Sequence, residues 1–313
     1  MINRQNTKTI KIGDLTIGGQ NKLLIQSMTN TKTKNIAATV SQIKALEEVD
    51  CEIIRVAVLD EKDAYAISEI KKQINIPLVA DIHFDPNLAI ISIKSGADKI
   101  RLNPGNIKDK NKIKEIVDLC KEYNIPIRIG VNSGSLPDGM EPTADNMIKA
   151  AKMHISILEE LDFKNIVLSL KASSIDLTYE AYKLAAEEFS YPLHVGITEA
   201  GTMLKGVIKS TIGLTKILDL GIGDTIRVSL TDDPINEVIA AKEILSNLHL
   251  KDNVPTFTSC PTCGRCKYDM IPIAIEIEKY LNTIESNIHV AVMGCPVNGP
   301  QEASRADIGI AGG

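Results

Sequence analysis

"PLVADIHFDPNLAIISIKSGADKIRLNPG", residues Pro77 to Gly105, places two short apolar runs on either side of one amphipathic segment. The runs "PLVADIH" and "DKIRLNPG" are nearly continuous in apolar character, as strands of a parallel sheet are when both of their faces are covered. The spacing of apolar residues between them is typical of a helix. The stretch therefore predicts a strand, a helix and a second strand parallel to the first.

The same unit recurs between Asn21 and about Leu230. The other runs are "KLLIQSM", "EIIRVAV", "PIRIGVN", "NIVLSLK", "PLHVGIT" and "DTIRVSL". Eight alternating units predict a closed (β/α)8 TIM barrel, because an open doubly wound sheet usually has fewer strands and a Gly-rich first turn. No GxGxxG follows any of the runs, which argues against a dinucleotide-binding fold. The opening "TIKIGDLTIGG" predicts a hairpin at the barrel floor.

A smaller region follows the polar stretch "KDNVP", Lys251 to Pro255. It contains a helical pattern, "MIPIAIEIEKYLN", and two strand patterns, "IHVAVMG" and "DIGIAG". We therefore predict an α/β chain with two domains, a barrel over residues 1–250 that binds the substrate and a small α+β domain over residues 256–313.

Composition limits the partners of the chain. The net charge of −5 over 313 residues disfavours binding to nucleic acid or to an anionic membrane, because both need a basic surface. The start "MINRQNTKTI" lacks an apolar signal region, and no apolar stretch is long enough to span a bilayer. These features predict a cytoplasmic protein, in which six cysteines indicate metal or redox chemistry rather than disulfides.

Polar residues follow the predicted strands at the end where a barrel carries its active site. They are Gln26, Ser27, Arg55, Asp81, His83, Arg101, Asn103, Arg128, Asn132, Lys171, Glu199, Arg227 and Ser229. Four arginines and one lysine at one level repel one another unless an anion lies among them, and a guanidinium matches phosphate bidentately. We therefore predict a diphosphate site, with acid and base groups at Asp81, His83 and Glu199. Lys171 has a second interpretation, as a Schiff-base lysine of the kind found in barrel aldolases.

Four cysteines lie near the end of the chain, at Cys260, Cys263, Cys266 and Cys295. Three of them form the CxxCxxC run in "TSCPTCGRCKYDM". Four thiolates are the usual ligands of a 4Fe–4S cluster, and the same four would also serve a structural zinc site. Spacing alone does not separate these two interpretations. Cys51 and Cys120 stand alone in apolar patterns, which is typical of packing cysteines.

The second cysteine loop, "MGCPVNGPQEASRADIGIAGG", makes a specific pair with "SCPTCGRCKYDM". Together with "QSMTNT", "RVAV", "DIHF", "RLNPGN", "RIGVNSGSL", "LSLKAS", "GITEAG" and "RVSLTDDP", in this order, it resembles the 4-hydroxy-3-methylbut-2-enyl diphosphate synthase family over nearly the whole chain. The resemblance implies an oxidoreductase of the non-mevalonate pathway of isoprenoid (terpenoid) biosynthesis. Such an enzyme reduces 2-C-methyl-D-erythritol 2,4-cyclodiphosphate with electrons that ferredoxin or flavodoxin delivers to a 4Fe–4S cluster.

The resemblance also implies which residues hold the iron. The family's ligands are three cysteines and one glutamate, which correspond here to Cys260, Cys263, Cys295 and Glu302. A carboxylate is a harder and more readily displaced ligand than a thiolate, so such a corner of the cluster can open for a substrate oxygen. Cys266 is then the spare cysteine, and a ligand set that includes Cys266 stays open.

The resemblance also implies roles for polar residues of the predicted barrel. The resemblance implies that the diphosphate binds to Arg55, Arg101, Asn103, Arg128, Asn132, Lys171, Arg227 and Ser229. It places Asp81, His83 and Glu199 near the carbon skeleton, with Glu199 as the proton-handling or charge-stabilising group. It further implies a head-to-tail homodimer with shared active sites. We also expect the family's chain to continue beyond Gly313, so that the cluster domain would be incomplete here.

Overall fold

The structure, a computed structural model, describes residues 7–297 and 299–312. Two sequence predictions extend outside the described residues: the absence of a signal segment concerns residues 1–6 in part, and the last strand pattern runs up to Gly313. The chain divides into two compact units, Met1–Ile244 and Leu245–Gly313.

The first unit contains the predicted barrel, built from eight parallel strands. The barrel strands are β3 (Leu24–Met28), β4 (Ile53–Ala57), β5 (Leu78–Asp81), β6 (Lys99–Arg101), β7 (Ile127–Asn132), β8 (Ile166–Lys171), β9 (His194–Val195) and β10 (Thr225–Ile226). Each strand pairs with its neighbours along the chain, and β10 pairs with β3. A parallel bridge between Leu168 and Leu193 links β8 to β9, so the sheet returns on itself.

Eight helices accompany the strands. They are α1 (Ile36–Glu47), α2 (Glu61–Lys71), α3 (Pro86–Lys94), α4 (Lys110–Glu122), α5 (Ala144–Glu160), α6 (Ile175–Glu188), α7 (Met203–Leu218) and α8 (Pro234–Asn247), with 3₁₀ turns at Pro104–Asn106 and Ser133–Ser135. Side-chain oxygens cap several helix starts; at the start of α2, for example, Asp60 accepts a hydrogen bond from the Asp63 N–H. Within the described residues, no helix has the length and apolar character needed to cross a bilayer.

The predicted hairpin forms at the start of the chain, from β1 (Ile10–Ile12) and the antiparallel β2 (Leu15–Ile17). Its buried side chains join inward residues of the barrel strands in one apolar cluster. The members are Ile10, Ile12, Ile17, Leu24, Ile53, Val79 and Val167, with Leu15 packed against them. The barrel therefore has an apolar floor, while Asp81, Arg101 and Lys171 are the last residues of their strands.

The second unit contains a parallel sheet in the order β11 (Thr256–Ser259), β12 (His289–Met293) and β13 (Ile308–Ala311), with helices α9 (Met270–Leu281) and α10 (Gly299–Ala303). The sequence predicts α9, β12 and β13 but neither β11 nor α10. β11 has no apolar run because it is mostly exposed, and α10 is only five residues long. Both elements immediately flank a cysteine loop.

The hairpin floor can be tested by Ile12→Ala. Ile12 is fully buried, so we expect the change to lower the free energy of unfolding by about 2–5 kcal/mol through lost burial and the cavity left behind. Lys11→Ala, on the exposed neighbouring residue, is the matched control and should change it little. Denaturant unfolding followed by circular dichroism measures both, and equal effects of the two variants would contradict a floor built on the hairpin.

Candidate active site

A cavity opens at the carboxyl ends of the barrel strands. Its lining consists of Arg55, Asp81, His83, Arg101, Arg128, Gly130, Asn132, Ser169, Lys171, Thr198, Arg227 and Ser229. Most of the predicted diphosphate-binding residues therefore lie around one space. Its volume of about 240 Å³ is suited to a small molecule rather than to a polymer.

Asp81 is the carboxylate on one side of this cavity. Its Oδ2 lies 3.6 Å from Arg55 Nε, and its Oδ1 lies 3.4 Å from Arg101 Nη1. Burial opposes ionisation of Asp81, but the guanidinium groups of Arg55 and Arg101 outweigh it and hold the pKa of the carboxyl below its ordinary value. Asp81 is therefore ionised, and it orients two of the arginines.

Glu237 orients Arg227 in the way that Asp81 orients Arg55 and Arg101. The sequence analysis does not predict this role of Glu237. Arg227 donates from Nε and Nη2 to the two carboxylate oxygens of Glu237, each over 3.1 Å. The Ser27 hydroxyl and the Leu230 N–H also donate to this carboxylate. Glu237 lies on the buried face of α8, four residues before the buried Ala241. A carboxylate in an apolar stripe is the signal that could have identified it.

Arg128 is a buried cation with unused hydrogen-bonding groups. It is 2% exposed, and in the part of the chain that the structure describes its Nε and Nη1 have no hydrogen-bond partner. Burial, followed by the charge of Arg55, holds the pKa of Arg128 well below its ordinary value. Because an unpaired buried charge is costly, this guanidinium indicates that an anion belongs in the cavity.

Lys171 lies in the same interior. Its Nζ is 3.3 Å from His194 Nε2, and the side chain is 8% exposed. Burial, reinforced by Arg227 and Arg128, holds the pKa of Lys171 well below its ordinary value. Asp81 and Glu237 thus balance part of the positive charge at the mouth, while Arg128 and Lys171 have no close carboxylate among the described residues.

His83 stands at the rim of the cavity, with 55% of its side chain exposed. Its ring nitrogens lie 3.2 Å from Arg101 Nη1. Partial burial and then the positive charge of Arg101 lower the pKa of His83, so the imidazole is neutral near pH 7. A neutral imidazole at this position can accept or donate a proton at the cavity edge.

Two of the predicted site residues do not line the cavity. Asn103 donates from Nδ2 to the Gly130 carbonyl and accepts at Oδ1 from the Gly130 N–H, both over 2.9 Å. Both polar atoms of its side-chain amide are therefore hydrogen-bonded to the backbone of β7. Glu199 is exposed and has a left-handed backbone conformation, with φ of +53°. A non-glycine residue in this conformation is uncommon and is often held so at functional sites. Both assignments stay predictions.

The cysteines lie on two loops of the second unit. Cys260 directly follows β11 and Cys295 follows β12, and these strands are parallel neighbours, so their carboxyl ends meet at one edge. The Gly294 N–H donates to Cys260 Sγ over 3.2 Å. Cys266 donates its thiol proton to the Tyr268 carbonyl over 3.1 Å. The N–H of Arg265 and its guanidinium hold the pKa of Cys263 below its ordinary value.

The predicted ligand set is not gathered around one point. Among the described side chains, no group of three or more His, Cys, Asp or Glu residues is close enough to hold a metal ion. Glu302 is exposed on α10. The donor chemistry nevertheless fits an iron–sulfur cluster, because all six cysteines are free of disulfides and four of them lie on adjacent loops.

The chain matches two family models. Residues 7–242 match the GcpE TIM-barrel domain, and residues 256–313 match the GcpE protein C-terminal domain. Two relatives, from Macrococcus caseolyticus and Bacillus anthracis, carry the name 4-hydroxy-3-methylbut-2-en-1-yl diphosphate synthase (flavodoxin). The first is 57% identical over 99% of this chain and 85% of its own length. The second is 55% identical over 100% of this chain and 86% of its own length.

Solved structures similar to this chain include two dihydropteroate synthases. The enzyme from Yersinia pestis superposes with a TM-score of 0.55 at 12% identity, over 77% of this chain and 98% of its own. The enzyme from Stenotrophomonas maltophilia superposes with a TM-score of 0.56 at 14% identity, over 78% of this chain and 98% of its own. At this identity the likeness shows a shared barrel fold only.

The unpaired guanidinium can be tested by Arg128→Met. We expect the ligand-free variant to be more stable than the natural protein by about 1–3 kcal/mol, because a buried unsatisfied charge is removed. Its affinity for inorganic pyrophosphate should fall by about 100-fold, because the anion loses a charged partner. Denaturant unfolding and calorimetric titration measure the two effects.

The exposed Lys62→Met is the control for Arg128→Met and should change neither quantity. A less stable Arg128→Met variant with unchanged pyrophosphate affinity would show that Arg128 has a structural role rather than an anion-binding one.

Proposed function

The chain belongs to the GcpE family, and from this membership we propose that it converts 2-C-methyl-D-erythritol 2,4-cyclodiphosphate to 4-hydroxy-3-methylbut-2-enyl diphosphate. The reaction opens the cyclic diphosphate reductively and releases water, in the supply of isoprenoid precursors. It consumes two electrons and two protons. The protein is therefore an oxidoreductase.

The observation that carries the proposal is the buried positive charge at the barrel mouth. Among the described residues, Arg128 Nε and Nη1 have no hydrogen-bond partner, and Lys171 forms no ion pair with a carboxylate within 4.0 Å. A substrate with two negative phosphates supplies the missing charge, and its small size suits the cavity. A neutral substrate would leave these groups unpaired.

We propose that two sets of cations bind the diphosphate: those that a carboxylate orients and those that have no ion-pair partner. Asp81 holds Arg55 and Arg101 in place, and Glu237 holds Arg227, so these three guanidinium groups are preorganised before the substrate arrives. Arg128 and Lys171 then donate to phosphate oxygens. Asn132 and Ser229 line the same cavity and supply neutral donors, which add orientation without further charge.

The proposed proton-handling groups are His83, Asp81 and Glu199. His83 is neutral at the rim, where it can pass a proton to a departing oxygen. Asp81 is ionised between two arginines, so we assign it to orientation and charge stabilisation. Glu199 has a constrained backbone in the loop after β9, and we propose that this constraint fixes its carboxylate for proton transfer.

We propose that the second unit holds a 4Fe–4S cluster through Cys260, Cys263, Cys295 and Glu302. Adjacent loops supply the thiolates, and α10 supplies the carboxylate. When bound, the cluster supplies single electrons for the reduction. Cys266, whose thiol donates to the Tyr268 carbonyl, is left outside this ligand set.

The proposed partners and location follow from the relatives and from the surface. The relatives' names specify flavodoxin, which favours flavodoxin over ferredoxin as the electron donor. We propose a cytoplasmic location, where the thiols stay reduced. We propose the head-to-tail homodimer that the resemblance implies; exposed apolar side chains on one face of α7, at Leu204, Ile208 and Ile212, support a protein contact but do not specify its geometry.

The function is tested by an assay of the anaerobically purified full chain. We expect iron and acid-labile sulfide in the protein, and conversion of the cyclic diphosphate only when reduced flavodoxin is present. Chemical analysis of the metal and chromatography of the product measure these outcomes. A protein that contains zinc instead of iron and acts on the substrate without a reductant would contradict the proposal.

The carboxylate ligand is tested by Glu302→Ala, with Glu278→Ala on the exposed surface of α9 as the matched control. We expect Glu302→Ala to lower turnover by about 100-fold while the barrel keeps its affinity for the substrate, because the two sites use different residues. Calorimetric titration and the turnover assay separate the two quantities. Turnover equal to that of the Glu278→Ala control would exclude Glu302 as a ligand.

A further inference from the structure

A chain of buried hydrogen bonds lies behind the proposed diphosphate site. Lys171 Nζ is 3.3 Å from His194 Nε2, and His194 Nδ1 is 2.8 Å from Thr225 Oγ1. His194 is fully buried on β9. Its carbonyl accepts a 2.6 Å hydrogen bond from the Tyr182 hydroxyl, which fixes the backbone that carries the ring. The imidazole is therefore held between Lys171 and Thr225.

The geometry limits the charge of the Lys171–His194 pair. A hydrogen bond between two nitrogens needs one donor and one unprotonated acceptor. If the Lys171 ammonium donates, then Nε2 accepts, and Nδ1 carries the ring proton and donates to Thr225. If Nε2 donates instead, Lys171 is an uncharged amine. In either arrangement the pair carries no more than one positive charge.

The surroundings of the pair are positively charged. The charged groups that act on it are Arg55 of β4, Lys99 of β6, Arg128 of β7, Arg227 directly after β10 and Glu237 of α8. Burial, together with these cations, holds the pKa values of Lys171 and His194 well below their ordinary values. Without an anion, burial and these cations therefore disfavour the protonated form of the pair.

We propose that the Lys171–His194 pair takes up one proton from solvent when the diphosphate binds, an inference that rests on the proposed function. The proton comes from the buffer and resides on Lys171 Nζ. The resulting ammonium donates to a phosphate oxygen and to His194 Nε2, while Thr225 accepts from Nδ1. Lys171 contacts the substrate, and His194 is a positioning residue that orients its ammonium group.

Because of this proton uptake, the net charge of the barrel mouth differs between the empty and the diphosphate-bound protein. The empty mouth avoids one buried positive charge, and the occupied mouth acquires it where two phosphates compensate it. By linkage, affinity should fall about tenfold per pH unit between the pKa of the free pair and the higher pKa of the diphosphate-bound pair, and should level off above the latter. A neutral analogue of the substrate would not draw the proton and would gain nothing from Lys171.

The test is calorimetric titration of the full-length, cluster-containing protein with the cyclic diphosphate. No electron donor is added, so the substrate binds without turnover. Each phosphorus of the cyclic diphosphate has one strongly acidic group, so the ligand itself exchanges no proton near pH 7.5. The titration is repeated in phosphate-free buffers of different ionisation enthalpy. The slope of observed enthalpy against that ionisation enthalpy gives the number of protons taken up.

We expect a slope of about one proton for the natural protein. Lys171→Met should bind more weakly, with a slope near zero. His194→Leu removes the acceptor and should lower both affinity and slope, whereas His194→Gln keeps an acceptor and should recover part of both. His83→Gln tests the alternative proton acceptor, the histidine that lines the cavity, and if the proton goes to Lys171 its slope should stay at about one.

Tight binding with a slope near zero in the natural protein would overturn the inference and leave the proposed function intact. A slope that persists in Lys171→Met, or that is lost in His83→Gln, would place the proton elsewhere and also overturn it. Failure of the natural protein to bind the cyclic diphosphate at all would instead contradict the proposed function, and the inference would fall with it.

Discussion

Positive charge buried in excess of negative charge is the constraint on which this barrel depends. Arg128, whose Nε and Nη1 have no partner among the described residues, lies beside the basic side chain of Lys171 in an interior that is nearly closed to water. Such groups destabilise the folded chain unless rigid surroundings hold them. The apolar floor under the strands provides that rigidity, and the ion pairs of Asp81 and Glu237 compensate part of the charge of Arg55, Arg101 and Arg227. Stability is thus concentrated at one end of the barrel and binding at the other.

The sequence predicts the barrel because each strand is an apolar run followed by a helical pattern, and this periodicity results directly from burial on both faces. The pattern identifies even β9 and β10, which are only two residues long but belong to longer apolar runs. It also predicts the hairpin floor. It does not predict β11, because an exposed strand lacks the apolar pattern.

The candidate site is predicted less completely. Residues at strand ends are easy to identify, since topology brings them together whatever their spacing. Glu237 and His194 are missed for a physical reason: each acts through another side chain, and the sequence does not show which partner the fold provides. The cysteine loops are predicted as neighbours, but distances between sulfur atoms depend on loop conformations that residue spacing does not determine.

Asn103 shows how sheet architecture and site chemistry can compete for one residue. Its side-chain amide exchanges two hydrogen bonds with Gly130, so it imitates a peptide unit and lengthens the ladder between β6 and β7 beyond the end of β6. Aspartate has no donor for this exchange, and glutamine is one methylene longer. The chemical identity of position 103 is thus dictated by the sheet, because its side chain continues the β6–β7 ladder two residues beyond the register pair of Arg101 and Arg128.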